Sequence, residues 1–236
     1  MIRTGIVLPT FRDTPDEAFA AAAEAVETGV DGLFCYDHIW PMGQPERPAL
    51  APFPVLGALA AQLPARAEEE GGPFLGTLVA RVGLVPNDVL VSQFIALNEL
   101  APERVIAGLG TGDRLSEQEN VAYGVPYPTA AERRADMVSL GRELIDAGLI
   151  VWVAGGNDRR AEEARAAGAV LNLWDAEAAV VAERRDEIEV TWAGPPPAAI
   201  PPLGERVRAL HDAGATWAIF GWPVDLDELV LAARGL

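Results

Sequence analysis

The sequence predicts a (β/α)8 TIM barrel, and three observations carry that expectation. Eight short runs of β-branched and apolar residues alternate strictly with eight longer, alanine-rich runs of helical pattern. The strand candidates are apolar along most of their length, so both faces must be covered, as in a parallel sheet wrapped by helices. The length of 236 residues is close to the usual size of such a barrel, about 250 residues. An open doubly wound sheet is the alternative reading of the same alternation. Residues 1–236 are expected to form one domain, since no linker, low-complexity tract or strong repeat interrupts the pattern.

The elements follow in order. A strand at 3–8 leads to a helix at 15–28, for which Thr14 reads as N-cap, Pro15 as first helical residue and Glu17 as capping-box partner. Phe19, Ala22, Ala23 and Val26 then share one face, and Gly29 supplies the stop. Strands at 31–36 and 74–80 precede helices at 52–69 and 87–100. The strand at 104–109 precedes a helix at 129–147, opened by Thr129 and Glu132 at capping-box spacing. Strands at 149–154, 169–173, 187–192 and 216–221 pair with helices at 158–167, 176–185, 203–213 and 225–234, the last with Asp225 and Glu228 at the same spacing.

Three long irregular segments, 37–51, 110–128 and 193–202, each follow a strand and precede a helix. In a barrel they all rise from the C-terminal face, where active sites of this fold lie. The acidic turn Glu68 to Gly72 falls on the opposite face and reads as a solvated helix end.

Composition removes several classes of function. All 18 basic residues are arginine, against 35 Asp and Glu, for a formal charge of −17. That balance argues against nonspecific nucleic-acid or anionic-membrane partners and leaves a small molecule as the expected one. The absence of lysine removes Schiff-base chemistry, the P-loop lysine and a lysine base. Cys35 is the lone cysteine and cannot form an internal disulfide, so a reducing, cytoplasmic setting is expected. It lies inside a strand and reads as a core residue. Two histidines, His38 and His211, leave little room for a metal site. The N-terminus carries no signal-peptide pattern, and no apolar run reaches the roughly 20 residues of a membrane span.

The strand ends gather polar, glycine and aromatic residues, a ring suited to a flat aromatic ligand carrying a phosphate. Asp37 and His38 stand together at the top of the second strand. Histidine titrates near neutrality and can move a proton there; the plain alternative is a hydrogen-bonded loop histidine. Gly110, Thr111, Gly112 and Asp113 form a turn in which glycines let a ligand approach the backbone. Asp113 is a proton-donor candidate if burial raises its pKa. The alternative is an ordinary tight turn with Glu117 and Glu119 as solvated loop charges. Gly155, Gly156 and Asn157, followed by Asp158, Arg159 and Arg160, open a helix whose N-terminal amides suit an anion. The alternative there is a structural left-handed turn. Trp40, Trp174, Trp192 and Trp222 map to strand ends, either as pocket lining or as packing at the barrel mouth. His211 sits in a last helical turn and reads as structural.

Taken together, GIVLPTF (5–11), DGLFCYDHIW (31–40), LGTLVARVG (75–83), ERVIAGLGTGD (103–113), AYG (122–124), VWVAGGNDRRAEEARAAGA (151–169), LNLWDA (171–176) and EVTWAGP (189–195) resemble the bacterial-luciferase-like superfamily (LLM class) of flavin and deazaflavin oxidoreductases. YDHIW and GATWAIFGWP (214–223) look most like its coenzyme F420-dependent actinobacterial branch. The resemblance implies coenzyme F420 over the strand C-terminal ends, with FMN as the alternative cofactor. It implies Asp37 and His38 beside the cofactor ring. Thr77, Leu78 and Val79 would back the ring, often through a cis peptide bulge. Gly110, Thr111 and Gly112 would touch the ring's polar edge, and Gly155, Gly156 and Asn157 would hold the cofactor phosphate. Help from Arg159 or Arg160 is inferred from charge.

Asp113 stands where related sugar-phosphate dehydrogenases have a glutamate acid, one methylene longer, and Ser116 where they carry a ring-contacting asparagine. Those enzymes grip substrate phosphate partly with lysines, so a sugar-phosphate substrate is not expected here. The insertion between the fourth and fifth strands is shortened, which leaves the pocket more open or closed by a partner subunit; a homodimer is expected. The leading expectation is an F420-dependent oxidoreductase that passes a hydride between deazaflavin and a small organic substrate. His38 would move the coupled proton, with Asp113 as a second group. An FMN-dependent monooxygenase and a catalytically degenerate cofactor-binding barrel are the alternatives.

Overall fold

Each apolar run becomes a parallel strand because its neighbours can satisfy the backbone only by hydrogen-bonding side by side beneath a layer of helices. The computed structural model describes residues 1–41, 44–45, 47–63, 72–112, 114–197 and 201–236. The strands are β1 (Arg3–Val7), β2 (Gly32–Cys35), β3 (Phe74–Thr77), β4 (Ala80–Arg81), β5 (Val105–Gly110), β6 (Ile150–Ala154), β7 (Val170–Trp174), β8 (Val190–Gly194) and β9 (Trp217–Gly221). All pairings are parallel, in the order β3-β2-β1-β9-β8-β7-β6-β5-β4. Pairing of β3 with β5, Leu75 opposite Val105, closes the ring. β3 and β4 are two pieces of the third barrel strand, separated at Leu78–Val79, whose peptide bond is cis. The fold is therefore the expected eightfold βα barrel.

The helices are α1 (Asp16–Thr28), α2 (Pro52–Gln62), α3 (Asn87–Leu100), α4 (Arg114–Ala122), α5 (Ala130–Asp146), α6 (Asp158–Ala167), α7 (Ala178–Arg184), α8 (Leu203–Ala213) and α9 (Leu226–Arg234). Among the described residues none is long and apolar enough to cross a membrane. α5 begins with the full capping box between Thr129 and Glu132. At α9, Asp225 accepts from the Glu228 N–H at 2.9 Å. Gly29 and Gly214 end α1 and α8 in the left-handed region.

Four expectations need correction. The N-cap of α1 is Pro15, without a side-chain bond, because the Thr14 hydroxyl donates to Asp16 Oδ2 instead. The buried face of α1 is Ala18, Ala21, Ala22 and Ala25; small residues let the helix lie close to the sheet, and Ala23 faces outward. The seventh barrel strand, β8, begins at Val190 rather than 187, since Glu187 and Glu189 are exposed and Glu187 pairs with Arg165 at 2.8 Å. Finally, the segment 110–128 contains α4 instead of being irregular throughout. The stretch 64–69 of the expected second helix and Glu68 to Gly71 of the acidic turn lie outside the described residues.

Two apolar layers hold the barrel. One packs helices on the outside of the sheet. The other fills the interior with Val7, Phe34, Ile106, Trp152, Trp217 and Ile219 among others. Phe34 meets Trp152 in a stacked pair at 5.4 Å and Trp217 edge-on at 5.9 Å. Room for Phe34 comes from Gly5, Gly32 and Gly76 on three neighbouring strands; a Cβ on any of them would lie 2.9 Å from its ring. Arg3 lies over Phe74 and Trp217 at the N-terminal end. The interior is thus a packed core, and open space is left at the C-terminal end.

Candidate active site

A cavity of about 440 Å³ opens among the C-terminal ends of the strands. One wall is aromatic: Phe11 stacks on Tyr36 at 5.4 Å, and Trp174 meets Tyr36 edge-on at 6.0 Å. Burial pushes the Tyr36 phenol up to about 12. Leu78 and Val79, from the break between β3 and β4, also line the cavity. Asp37, His38, Arg81 and Ser116 add polar groups, and Gly112, Ala154 and Asn172 complete the lining.

The polar wall is one connected network. His38 Nδ1 lies 2.8 Å from Glu119 Oε1, and the Ile39 N–H donates to Glu119 Oε2 at 2.8 Å. Glu119 has a side chain only 1% exposed. Its Oε2 is 3.4 Å from Arg81 Nη2, an ion pair between two buried groups. Arg81 also donates through Nη1 to the Ser116 carbonyl at 3.1 Å and through its backbone N–H to Asp37 Oδ2 at 2.8 Å. Burial would raise the Glu119 carboxyl, but the hydrogen bonds from His38 and Ile39 and the charge of Arg81 outweigh it and hold the group below its ordinary value. Asp37 moves the other way: burial raises it more than the Arg81 hydrogen bond and charge lower it. Two carboxyls a few residues' reach apart are thus driven in opposite directions, the pattern expected where proton positions matter.

The structure gathers part of the expected set. Asp37, His38, Val79 and Gly112 line the cavity. Thr77 is fully buried and its hydroxyl donates to the Gly108 carbonyl at 2.8 Å. Gly110 lies directly under Val79, so close that a Cβ would collide with Val79 Cγ2. Thr111 is buried, and its hydroxyl accepts from Arg160 Nη2 at 3.0 Å. Gly155, Gly156 and Asn157 lead into α6, where Asn157 Oδ1 caps the Arg160 N–H at 2.9 Å. Arg159 is exposed, whereas Arg160 lies against Gly155 and pairs with Glu163 at 2.7 Å. Asp113 lies outside the described residues.

Sequence reasoning missed Glu119 and Arg81. Glu119 is a buried partner of His38, not a solvated loop charge. The available signal was helical spacing: Ser116, Glu119 and Asn120 form one buried polar face of α4. Of the four tryptophans assigned to strand ends, Trp174 lines the cavity. Trp192 is core, packed on Phe220 with its N–H donating to the Ala176 carbonyl, and Trp40 is buried beside Tyr123. Trp222 packs against the outer core.

Comparison with known proteins gives no matching family model. The F420-dependent glucose-6-phosphate dehydrogenase of Beutenbergia cavernae is 32% identical over 136 residues, covering 57% of this chain and 38% of that protein. The protein of the same name from Intrasporangium calvum is 32% identical over 148 residues, 61% of this chain and 42% of its own. The chain thus spans about two fifths of the curated relatives it matches. Among solved structures, an F420-dependent secondary alcohol dehydrogenase in complex with an F420–acetone adduct superposes with a TM-score of 0.77 at 13% identity, over 99% of both chains. The coenzyme F420 dependent tetrahydromethanopterin reductase of Methanopyrus kandleri gives 0.69 at 11% identity, over 99% of this chain and 97% of that one. A monooxygenase from Streptomyces bottropensis gives 0.67 at 14% identity, with the same coverage. The structural likenesses establish the fold; the sequence relatives show that about three fifths of the chain is similar to part of proteins named F420-dependent glucose-6-phosphate dehydrogenase.

Proposed function

We propose that this chain is an F420-dependent oxidoreductase that moves a hydride between a deazaflavin cofactor and a small organic substrate. The observation that carries the reading is His38 at the wall of the C-terminal cavity, with Nδ1 engaged by Glu119 and, among the described residues, no hydrogen bond to Nε2. The shared F420 dependence in the names of the sequence relatives supplies the choice of cofactor.

The residues present fit such a group. Val79 and Gly112 offer a close, apolar approach to a flat ring, and the Gly110 backbone lies beneath Val79. At the start of α6 the N–H groups of Asp158 and Arg159 have no helical carbonyl one turn before them and suit a phosphate oxygen. The Asp158 carboxylate is drawn aside to Arg184. Deazaflavin, when bound, supplies a ring carbon that accepts or returns a hydride.

The protein's part is positioning and proton control. His38 Nε2 would take or give the proton coupled to the hydride. Asp37 would hydrogen-bond beside the ring, and Phe11, Tyr36 and Trp174 would keep water from the reacting atoms. Among the described lining residues the one cation, Arg81, is already engaged by Glu119 and Ser116. This favours a neutral substrate over a sugar phosphate. Asp113 keeps its place as a candidate second proton group. The proposal extends to residues 1–236 acting as one cytoplasmic domain that pairs as a homodimer, which sedimentation would test.

The deciding experiment offers the purified protein F420 and FMN, follows binding by fluorescence, and assays hydride exchange over a panel of alcohols and carbonyl compounds with and without oxygen. Tight F420 binding with oxygen-independent turnover is expected. A preference for FMN with oxygen uptake would overturn the reading, and F420 binding without turnover on any substrate would reduce the chain to a cofactor carrier.

A further inference from the structure

A neutral imidazole presents either an acceptor or a donor to its ligand, depending on which nitrogen holds the proton. The partner on the far side makes that choice. For His38 the far-side partner is Glu119, and its surroundings leave it little freedom. Oε2 is committed to the Ile39 N–H, a donor that cannot change role. The same oxygen faces Arg81 Nη2 at 3.4 Å, a fixed cation. Oε1 faces His38 Nδ1 at 2.8 Å. A carboxylate between a backbone N–H and a guanidinium remains an acceptor, so it takes a proton donated by Nδ1. Asp37, the remaining described titratable group at this wall apart from Tyr36, is turned to the Arg81 backbone N–H and does not compete for Nδ1.

We propose that Glu119 is the positioning residue for His38. By holding Nδ1–H, it leaves Nε2 unprotonated in the neutral ring and aims it at the ligand as a base. In the opposite reaction direction the same contact stabilises the imidazolium while Nε2–H gives its proton back. This deepens the function proposed above and rests on its assignment of His38 to the coupled proton.

Glu119→Gln makes the idea testable, because the amide cannot satisfy both neighbours in their present roles. Its single oxygen must accept either from Ile39 or from His38. If it serves the fixed Ile39 N–H, its NH2 group faces Nδ1, which must then accept, and the ring proton moves to Nε2. The reverse orientation sets an NH2 against the Ile39 N–H, two donors in a buried site.

The primary readout is the imidazole 15N spectrum of cofactor-free protein at a pH where the ring is neutral. The chain has two histidines, so a His211→Gln variant assigns both. Wild-type His38 should show the Nδ1–H tautomer, and Glu119→Gln should show Nε2–H. A wild-type ring in the Nε2–H form overturns the proposal without any variant, so it stays testable even if Glu119→Gln fails to fold. An unchanged tautomer in a folded Glu119→Gln protein overturns it as well. In the loaded enzyme, Glu119→Gln should lower kcat about 10²-fold, within the range for loss of acid–base catalysis, with KM nearly unchanged. A rise in KM at constant kcat would make Glu119 a binding residue instead. The tautomer is read without cofactor, so failure of the F420 assignment leaves that result standing and shows separately in the fluorescence titration.

Discussion

His38 is a loop residue whose Nδ1 side is hydrogen-bonded to Glu119, and Asp37 next to it is a carboxyl whose environment opposes its charge. These two give distinct predictions. Replacing His38 with Ala should lower kcat by 10²-fold or more, the order expected when a proton carrier is lost, while F420 affinity by fluorescence titration changes little. Equal turnover would remove His38 from the chemistry. For Asp37 the folded value lies above the ordinary 3.8, chiefly through burial. A raised acid binds its proton more tightly when folded, so that stability is lost as pH rises through the folded value. Asp37→Asn has no such charge to lose. It should therefore melt at higher temperature than wild type at pH 7, and the difference should vanish below about 3.8. Thermal melts at both pH values check it. Glu119 works in the opposite sense: its lowered value contributes stability above the ordinary 4.5 that disappears as pH falls through the folded value. The margin of wild type over Glu119→Gln should narrow in acid, and a margin independent of pH would contradict the ion-pair account.

At the scale of elements, the cavity wall depends on how tightly the third and fourth barrel strands approach. Val79 sits over Gly110 without space for a Cβ. Gly110→Ala should cost about 1–3 kcal/mol, as overpacking does, and should weaken cofactor binding by moving Val79; chemical denaturation and fluorescence titration measure the two effects. At α5 the capping box joins Thr129 and Glu132 in both directions. Thr129→Ala should cost about 1 kcal/mol with no effect on turnover, since that helix start supplies no group to the cavity. α4 is the element whose polar composition disguised it. Among its described side chains the buried ones are Ser116, Glu119 and Asn120, a polar face rather than an apolar one, and the carboxylate that organises His38 was read as a surface charge.

At the scale of the molecule, strand closure turns a list of strand ends into a site. β3 meets β5, and residues that follow β1, β2, β3 and β5, with others on β4, β6 and β7, converge on one cavity. The same closure stacks Phe34, Trp152 and Trp217 inside the barrel. Phe34→Ala should destabilise the protein by about 3–5 kcal/mol in denaturant unfolding, because its place is shaped by three glycines and cannot be refilled by neighbours. The alternation of strands and helices, the face on which the long loops rise and the candidacy of Asp37 and His38 were all legible in the sequence. Each rests on local information: hydrophobic period, capping residues, or position after a strand. The sequence by itself therefore determined the barrel and the end of it that carries the site. Only the tertiary structure decided that Glu119 lies against His38 across 81 positions of chain, and that Arg81 binds Asp37 and Glu119 into the same network. It also decided that Trp174, and neither Trp192 nor Trp40, faces the cavity. These are contacts between residues far apart in sequence, fixed by barrel closure and by the burial of a polar helix face, and no local periodicity encodes them.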